Sequence, residues 1–217
     1  MTPLQKTVGL CLAVVMAVVG MFVYSVTREH VPSLDELRGQ GVFMLPEPIA
    51  LGGFQLETHR GDVFLPEHLE GDWSFVFFGF TRCPDICPIT LSVMAQAERR
   101  LAASGASFKG VLVSVDPERD DRESLATYVR AFSEGFLGVR GELTELAKFA
   151  RQVHVVFAKV PDNRFPSGTE GEEGGFTVDH SGNIVVIDPL GHYHGFIKMP
   201  HKVDTLLDVF RYLRATW

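Results

Sequence analysis

A single α/β domain carried behind one apolar, membrane-length helix is the fold class this sequence predicts. Continuous apolar runs at residues 75–80, 111–115 and 184–187 read as strands buried on both faces, as in a sheet covered by helices. Between and after them, apolar residues recur at helical spacing, first in Ile89, Val93, Met94 and Ala97 and later in Val203, Leu206, Leu207, Phe210 and Leu213. Ahead of both, residues 8–26 carry no charge and approach the ~20 residues that a helix needs to cross a bilayer.

Residues 1–27 read as a membrane anchor with a short preceding segment. The apolar run exceeds the ~7–15 residues of a signal-peptide core and offers no cleavage site better than Val23-Tyr24-Ser25, so an uncleaved anchor is expected. Lys6 on one side and Arg28 and Arg38 on the other leave the topology undecided by charge. Residues 28–50 are mixed and proline-bearing and read as a tether, with a short helical piece around 33–38. Residues 51–217 form the domain.

Within that domain, residues 54–58 alternate and turn through His59-Arg60-Gly61-Asp62 into 63–65, predicting an added N-terminal hairpin. The strand at 75–80 leads to a helix starting just after Cys87, where Pro88 is tolerated in the first turn. A second strand at 111–115 ends at Asp116-Pro117. Asp120 with Glu123 resembles a capping box opening a helix through Phe132. A helix at 143–152 precedes a strand at 153–160. Residues 161–175, with Glu170, Glu172 and Glu173, read as a long acidic loop that could dock a basic partner surface, though most such loops are simply solvated. A hairpin through Asp188-Pro189-Leu190-Gly191 and the amphipathic C-terminal helix complete the chain.

The composition, 46% hydrophobic and 22% charged over 217 residues, is that of a folded chain with a core. A formal net charge of -7, without a basic stripe, argues against a nucleic-acid partner. Of the three cysteines, Cys11 lies in the apolar run, so there is no disulfide framework. Cys83 and Cys87 sit at a strand-to-helix junction, where reactive groups collect in open α/β sheets. Closing so short a loop removes little unfolded-state entropy, so the pair points to metal binding or redox chemistry rather than cross-linking.

Two thiolates need a third ligand for a stable metal site, and eight histidines are on offer. His180 is singled out because it leaves the flexible loop just before the strand at 184–187; the bland alternative is a turn residue capping a backbone group. His192 and His194 share one strand face, more often simply solvated than chelating. His59, His68, His154 and His201 have no supporting pattern, and His30 lies near the membrane segment. Asp85 and Asp116 are candidates for tuning the cysteines through hydrogen bonds, with ordinary turn and cap chemistry as the alternative. By donor type alone, two cysteines and one histidine would suit zinc as well as copper.

Phe78-Gly-Phe-Thr-Arg-Cys-Pro-Asp-Ile-Cys-Pro88 resembles the signature of the Sco/SenC family, membrane-anchored copper proteins of cytochrome oxidase assembly. Val113-Ser-Val-Asp-Pro-Glu-Arg-Asp120, Val178-Asp-His-Ser181 and Val186-Ile-Asp-Pro-Leu-Gly191 resemble further family motifs in the same order. The resemblance implies a thioredoxin-like domain holding copper, as Cu(I), Cu(II) or both, on Cys83, Cys87 and His180. It also implies a single-pass protein of the inner membrane facing the periplasm, or the intermembrane space in a mitochondrion. The implied partners are a copper-bearing subunit of cytochrome oxidase and a periplasmic copper donor. A metallochaperone for the copper A centre is the leading function and requires no turnover chemistry.

The alternative is a thiol-disulfide reductase acting on the acceptor's cysteines through Cys83 and Cys87. The Cys-x-x-x-Cys spacing departs from the usual redox Cys-x-x-Cys. A peroxidase of peroxiredoxin type lacks its Thr-x-x-Cys, since Thr81 is two positions before Cys83. Where the family commonly has Tyr this chain has Phe176, and Ser181-Gly182-Asn183 replaces apolar residues.

Overall fold

The computed structural model describes residues 3–27, 30–161 and 175–217. They belong to two compact units, Met1–Pro32 and Ser33–Trp217. The first contains helix α1 (Pro3–Thr27), whose stretch Pro3–Tyr24 is long and apolar enough to cross a membrane.

The second unit opens with α2 (Leu34–Gly39), capped reciprocally by Ser33 and Glu36. Its strands are β1 (Val42–Ala50), β2 (Leu56–Thr58), β3 (Val63–Phe64), β4 (Ser74–Gly79), β5 (Lys109–Ser114), β6 (Leu137–Arg140), β7 (Phe157–Pro161), β8 (Phe176–His180), β9 (Ile184–Ile187) and β10 (His192–Ile197). Helices α3 (Ile86–Ala102), α4 (Arg122–Arg130), α5 (Leu143–Gln152) and α6 (Val203–Thr216) complete it. Eight strands form one sheet in the order β1-β10-β9-β4-β5-β6-β2-β3. The central β4, β5 and β6 run parallel, and the remaining pairs are antiparallel. Among the described residues, strands β7 and β8 pair only with each other, as a separate ribbon.

Every residue of β4 is buried, as its unbroken apolar run requires. Phe78 faces α5, its ring 5.3 Å from that of Phe149, which in turn stacks on Phe54 at 4.3 Å. Phe77 and Gly79 face the other way, toward His180 and α3. Removing a fully buried phenylalanine of this kind costs about 3–5 kcal/mol, so β4 is an anchor for both layers.

Four expectations are corrected. The tether of 28–50 is too long, because α2 and β1 belong to the domain and β1 pairs with β10 from Val42↔Ile197 to Ala50↔His192. Pro46 and Pro48 disguised this strand. They are accommodated because β1 is an edge strand whose register shifts between Met44 and Ile49. Helix α3 begins at Ile86, so Cys87 lies in its first turn rather than before it. Helix α4 is capped by Asp121, which accepts from the Ser124 N–H at 2.7 Å, and Asp120 is diverted into the core. The strand expected at 153–160 starts at Phe157, because His154 takes a left-handed φ of 56° and both Val153 and Val155 donate back to the Ala150 carbonyl of α5. Both expected hairpins form, β2 with β3 and β9 with β10. The acidic loop residues Glu170, Glu172 and Glu173 lie outside the described residues.

Candidate metal centre

The chain leaves β4 at Gly79 and turns through Phe80 and Thr81, where the Cys83 N–H donates to the Phe80 carbonyl at 3.3 Å. Cys83 is half-buried and Cys87 fully buried. His180 closes β8, and the ribbon brings it over the junction. The sulfurs of Cys83 and Cys87 and a ring nitrogen of His180 all lie within 4.8 Å of one another, and among the described residues no other group of three metal-ligating side chains does so.

Each ligand is aimed by its surroundings. The Cys87 sulfur lies 3.6 Å from His180 Nε2. His180 Nδ1 is 3.1 Å from the Ser181 carbonyl, which accepts its proton and leaves the Nε2 lone pair facing the thiols. Phe77 and Phe80 present their rings to the imidazole at about right angles, with centroids 5.8 and 5.9 Å away. Position 79 must be glycine, because a Cβ there would lie 2.9 Å from the Cys87 sulfur. Beyond His180, the His201 ring donates through Nε2 to the Gly182 carbonyl at 2.8 Å and pins the following turn.

The thiols are electrostatically unequal. Hydrogen bonding from the Cys87 thiol pulls the Cys83 pKa well below the ordinary thiol value, against the opposing effect of burial. The backbone N–H groups of Asp85 and Cys87, at the start of α3, add to the lowering. Cys87 moves upward, first through its bond to Cys83 and then through burial. These opposite shifts favour ionisation of the more exposed Cys83 sulfur over the inner Cys87.

Asp85 sits at the N-cap of α3 without a side-chain cap bond, and its contribution to Cys83 is its backbone N–H. Asp116 is fully buried, and its carboxylate accepts from Arg119 Nε at 2.5 Å. The residue that the sequence reading missed at this site is Asp120. Fully buried, its carboxylate accepts from the Thr81 N–H at 3.0 Å, the Thr81 hydroxyl at 2.5 Å and the Ser114 hydroxyl at 2.6 Å, locking the loop before Cys83 to the end of β5. The hydroxyl residues at both strand ends were the available signal; the capping pattern drew attention elsewhere.

The other histidines have separate duties. His192 and His194 flank Asp188, at 3.8 and 3.3 Å, and the His194 ring meets Trp73 edge-on. His59 accepts from the Gly138 N–H, and His68 from that of Leu65.

The SCO1/SenC family pattern matches residues 45–214. A Stutzerimonas stutzeri protein named for copper binding is 34% identical over 166 residues, covering 76% of this chain and 77% of that one. The human mitochondrial SCO2 homolog is 32% identical over 165 residues, 75% of this chain but 59% of the relative's length. Among solved structures, Arabidopsis thaliana ScoI with copper bound is 32% identical, with a TM-score of 0.67, covering 76% of this chain and 98% of that one. Yeast Sco1 with copper bound is 27% identical, with a TM-score of 0.68 and coverages of 78% and 91%. The fold is thus the thioredoxin-like fold of the Sco1 structures, and the chain belongs to the SCO1/SenC family.

Proposed function

We propose that this chain is a membrane-anchored copper metallochaperone that binds copper through Cys83, Cys87 and His180 and passes it to a copper-bearing subunit of cytochrome c oxidase, at the copper A centre. The observation that carries the reading is the convergence of two sulfurs and one correctly presented imidazole nitrogen within 4.8 Å. Cu(I) favours the thiolates and tolerates low coordination, while the imidazole extends the same site to Cu(II). The relatives with copper bound support copper over zinc. Residues 1–27 act as a single-pass anchor in the inner membrane, with the domain in the periplasm, where a copper donor loads it. Transfer proceeds by ligand exchange: acceptor thiolates enter the copper shell and His180, on its separate ribbon, leaves first.

Titration of the protein with Cu(I) and Cu(II) under anaerobic conditions, with X-ray absorption on wild type and His180→Ala, tests this. One tightly bound copper with two sulfur ligands and a nitrogen lost in the variant is the expected result; unchanged stoichiometry and affinity in His180→Ala sinks the three-ligand site.

A second reading is favoured by the preferred ionisation of Cys83 over its partner. The two thiols could reduce an acceptor disulfide, Cys83 attacking as the thiolate and Cys87 resolving; two electrons and the Cys87 proton pass to the acceptor, which leaves as one thiolate and one thiol as Cys83–Cys87 oxidises. A Cys87→Ser variant that accumulates a mixed disulfide with the acceptor supports reduction, whereas full acceptor metallation by a redox-inert variant argues against it.

A further inference from the structure

We propose that Arg119 is the positioning residue for His180, a clamp that fixes the histidine ribbon against the domain and thereby sets how strongly the site prefers Cu(II) to Cu(I). This rests on the copper reading above. Among the described residues the ribbon β7–β8 shares no ladder with the eight-stranded sheet, so side-chain contacts help to fix where His180 stands. At the far end of β8 from His180, the Arg119 guanidinium lies over the Phe176 ring at 3.8 Å and donates through Nη1 to the Phe176 carbonyl at 3.2 Å. The ring is also approached by Lys159 of β7, at 4.6 Å, and Lys159 in turn pairs with Glu118. Both strands of the ribbon are therefore tied to the segment just after β5.

Arg119 is itself immobilised. Its Nε is paired with the fully buried Asp116, whose backbone N–H is held by the Ser114 hydroxyl at 3.2 Å. The same Ser114 hydroxyl donates to Asp120 and so belongs to the network behind Cys83. A continuous chain of contacts thus runs from the cysteine loop to the start of the histidine strand. Among the described residues, Asp116 Oδ1 and Arg119 Nη2 are both buried without a hydrogen-bond partner. A buried ion pair that leaves an atom unsatisfied on each side is a poor device for stability, because its desolvation is incompletely offset. It is better understood as a strut that holds the guanidinium plane under Phe176. The tether at Phe176 is the stacked guanidinium and the carbonyl bond, neither of which needs a ring hydroxyl.

The consequence is selective. Two thiolates satisfy Cu(I), whereas Cu(II) draws on the imidazole, so a residue acting only through His180 changes Cu(II) affinity far more than Cu(I) affinity. The test uses the full chain in detergent micelles: wild type, Arg119→Gln, Arg119→Lys, Phe176→Leu and His180→Ala. Competitive affinities for both copper states are measured alongside the Cu(II) thiolate charge-transfer band and the thermal midpoint. Arg119→Gln is expected to lower Cu(II) affinity about tenfold or more relative to Cu(I), in the direction of His180→Ala, with an altered charge-transfer band. Arg119→Lys restores only part, since an ammonium cannot pair with Asp116, stack and bind the carbonyl together.

Equal losses in both copper states, or an unchanged ratio, overturn the clamp. Should Arg119→Gln fail to fold, Phe176→Leu, which removes the stack and leaves the ion pair, decides by the same ratio. Failure of wild type to bind copper overturns both readings; wild-type binding with an unchanged ratio in the variants overturns only this one.

Discussion

The two halves of the metal centre are built to opposite specifications. The cysteines sit on the β4–α3 junction, at the centre of the main sheet, with Cys87 fully buried and Asp120 bracing the loop before Cys83. His180 ends a two-stranded ribbon outside that sheet, held by side-chain contacts at Phe176 and by His201 at Gly182. A ligand set divided in this way holds two donors on the central sheet and the third through side-chain contacts of its own. Under the proposed function, soft-metal affinity would reside in the cysteine half and release would begin in the histidine half.

The sharpest way to break the rigid half is Asp120→Ala. It leaves the Thr81 and Ser114 hydroxyls without their acceptor inside the protein, which at about 1–3 kcal/mol per stranded group predicts a loss of roughly 3 kcal/mol or more in chemical denaturation. Both copper affinities should fall with it. Gly79→Ala comes next. The new methyl would meet the Cys87 sulfur at 2.9 Å and the Phe77 ring at 3.0 Å, so an overpacking loss of about 1–3 kcal/mol is expected, with Cu(I) affinity reduced because the sulfur must shift. Unchanged Cu(I) affinity in this variant would show that the junction is less rigid than described.

On the ribbon side, His201→Ala removes the donor to the Gly182 carbonyl. A stability loss of about 1 kcal/mol is expected, with the copper effect confined to Cu(II). The smallest effect is one of reactivity rather than stability. Because Cys83 ionises below the ordinary thiol range and only the thiolate reacts, alkylation at neutral pH should modify Cys83 first and weaken only as pH falls through that lowered pKa. Cys87, shifted the other way, should stay unmodified while Cys83 is intact. Equal labelling of the two thiols by mass spectrometry would contradict these opposite shifts.

Much of the rigid half was legible because it is local in sequence. A run of apolar residues ending at Gly79, then two cysteines and a proline, specifies strand, turn and helix within a few positions. The other half was less legible. Residues 176–180 read as the exit of a loop because their strand partner, β7, lies across the long connection and the alternation is too short to declare itself. Arg119 and Phe176 meet only in the tertiary structure. Asp120 was assigned a capping role by a local pattern that its neighbour Asp121 fulfils, since a buried carboxylate network leaves no periodic trace. Strand β1 was hidden by two prolines that forbid a central strand but not an edge.

The unequal burial of the two sulfurs has a consequence for how a partner must approach. Cys87 is fully buried while Cys83 and His180 are only partly so, and an ion held by the three would be open on the side of Cys83 and His180. Under the proposed transfer, an incoming molecule would meet Cys83 and His180 first, and the bond to Cys87 would be the last to part. A receiver whose own ligands are recessed in a cleft would be unable to complete the exchange, whereas one that presents them on a protruding loop could do so from this single direction.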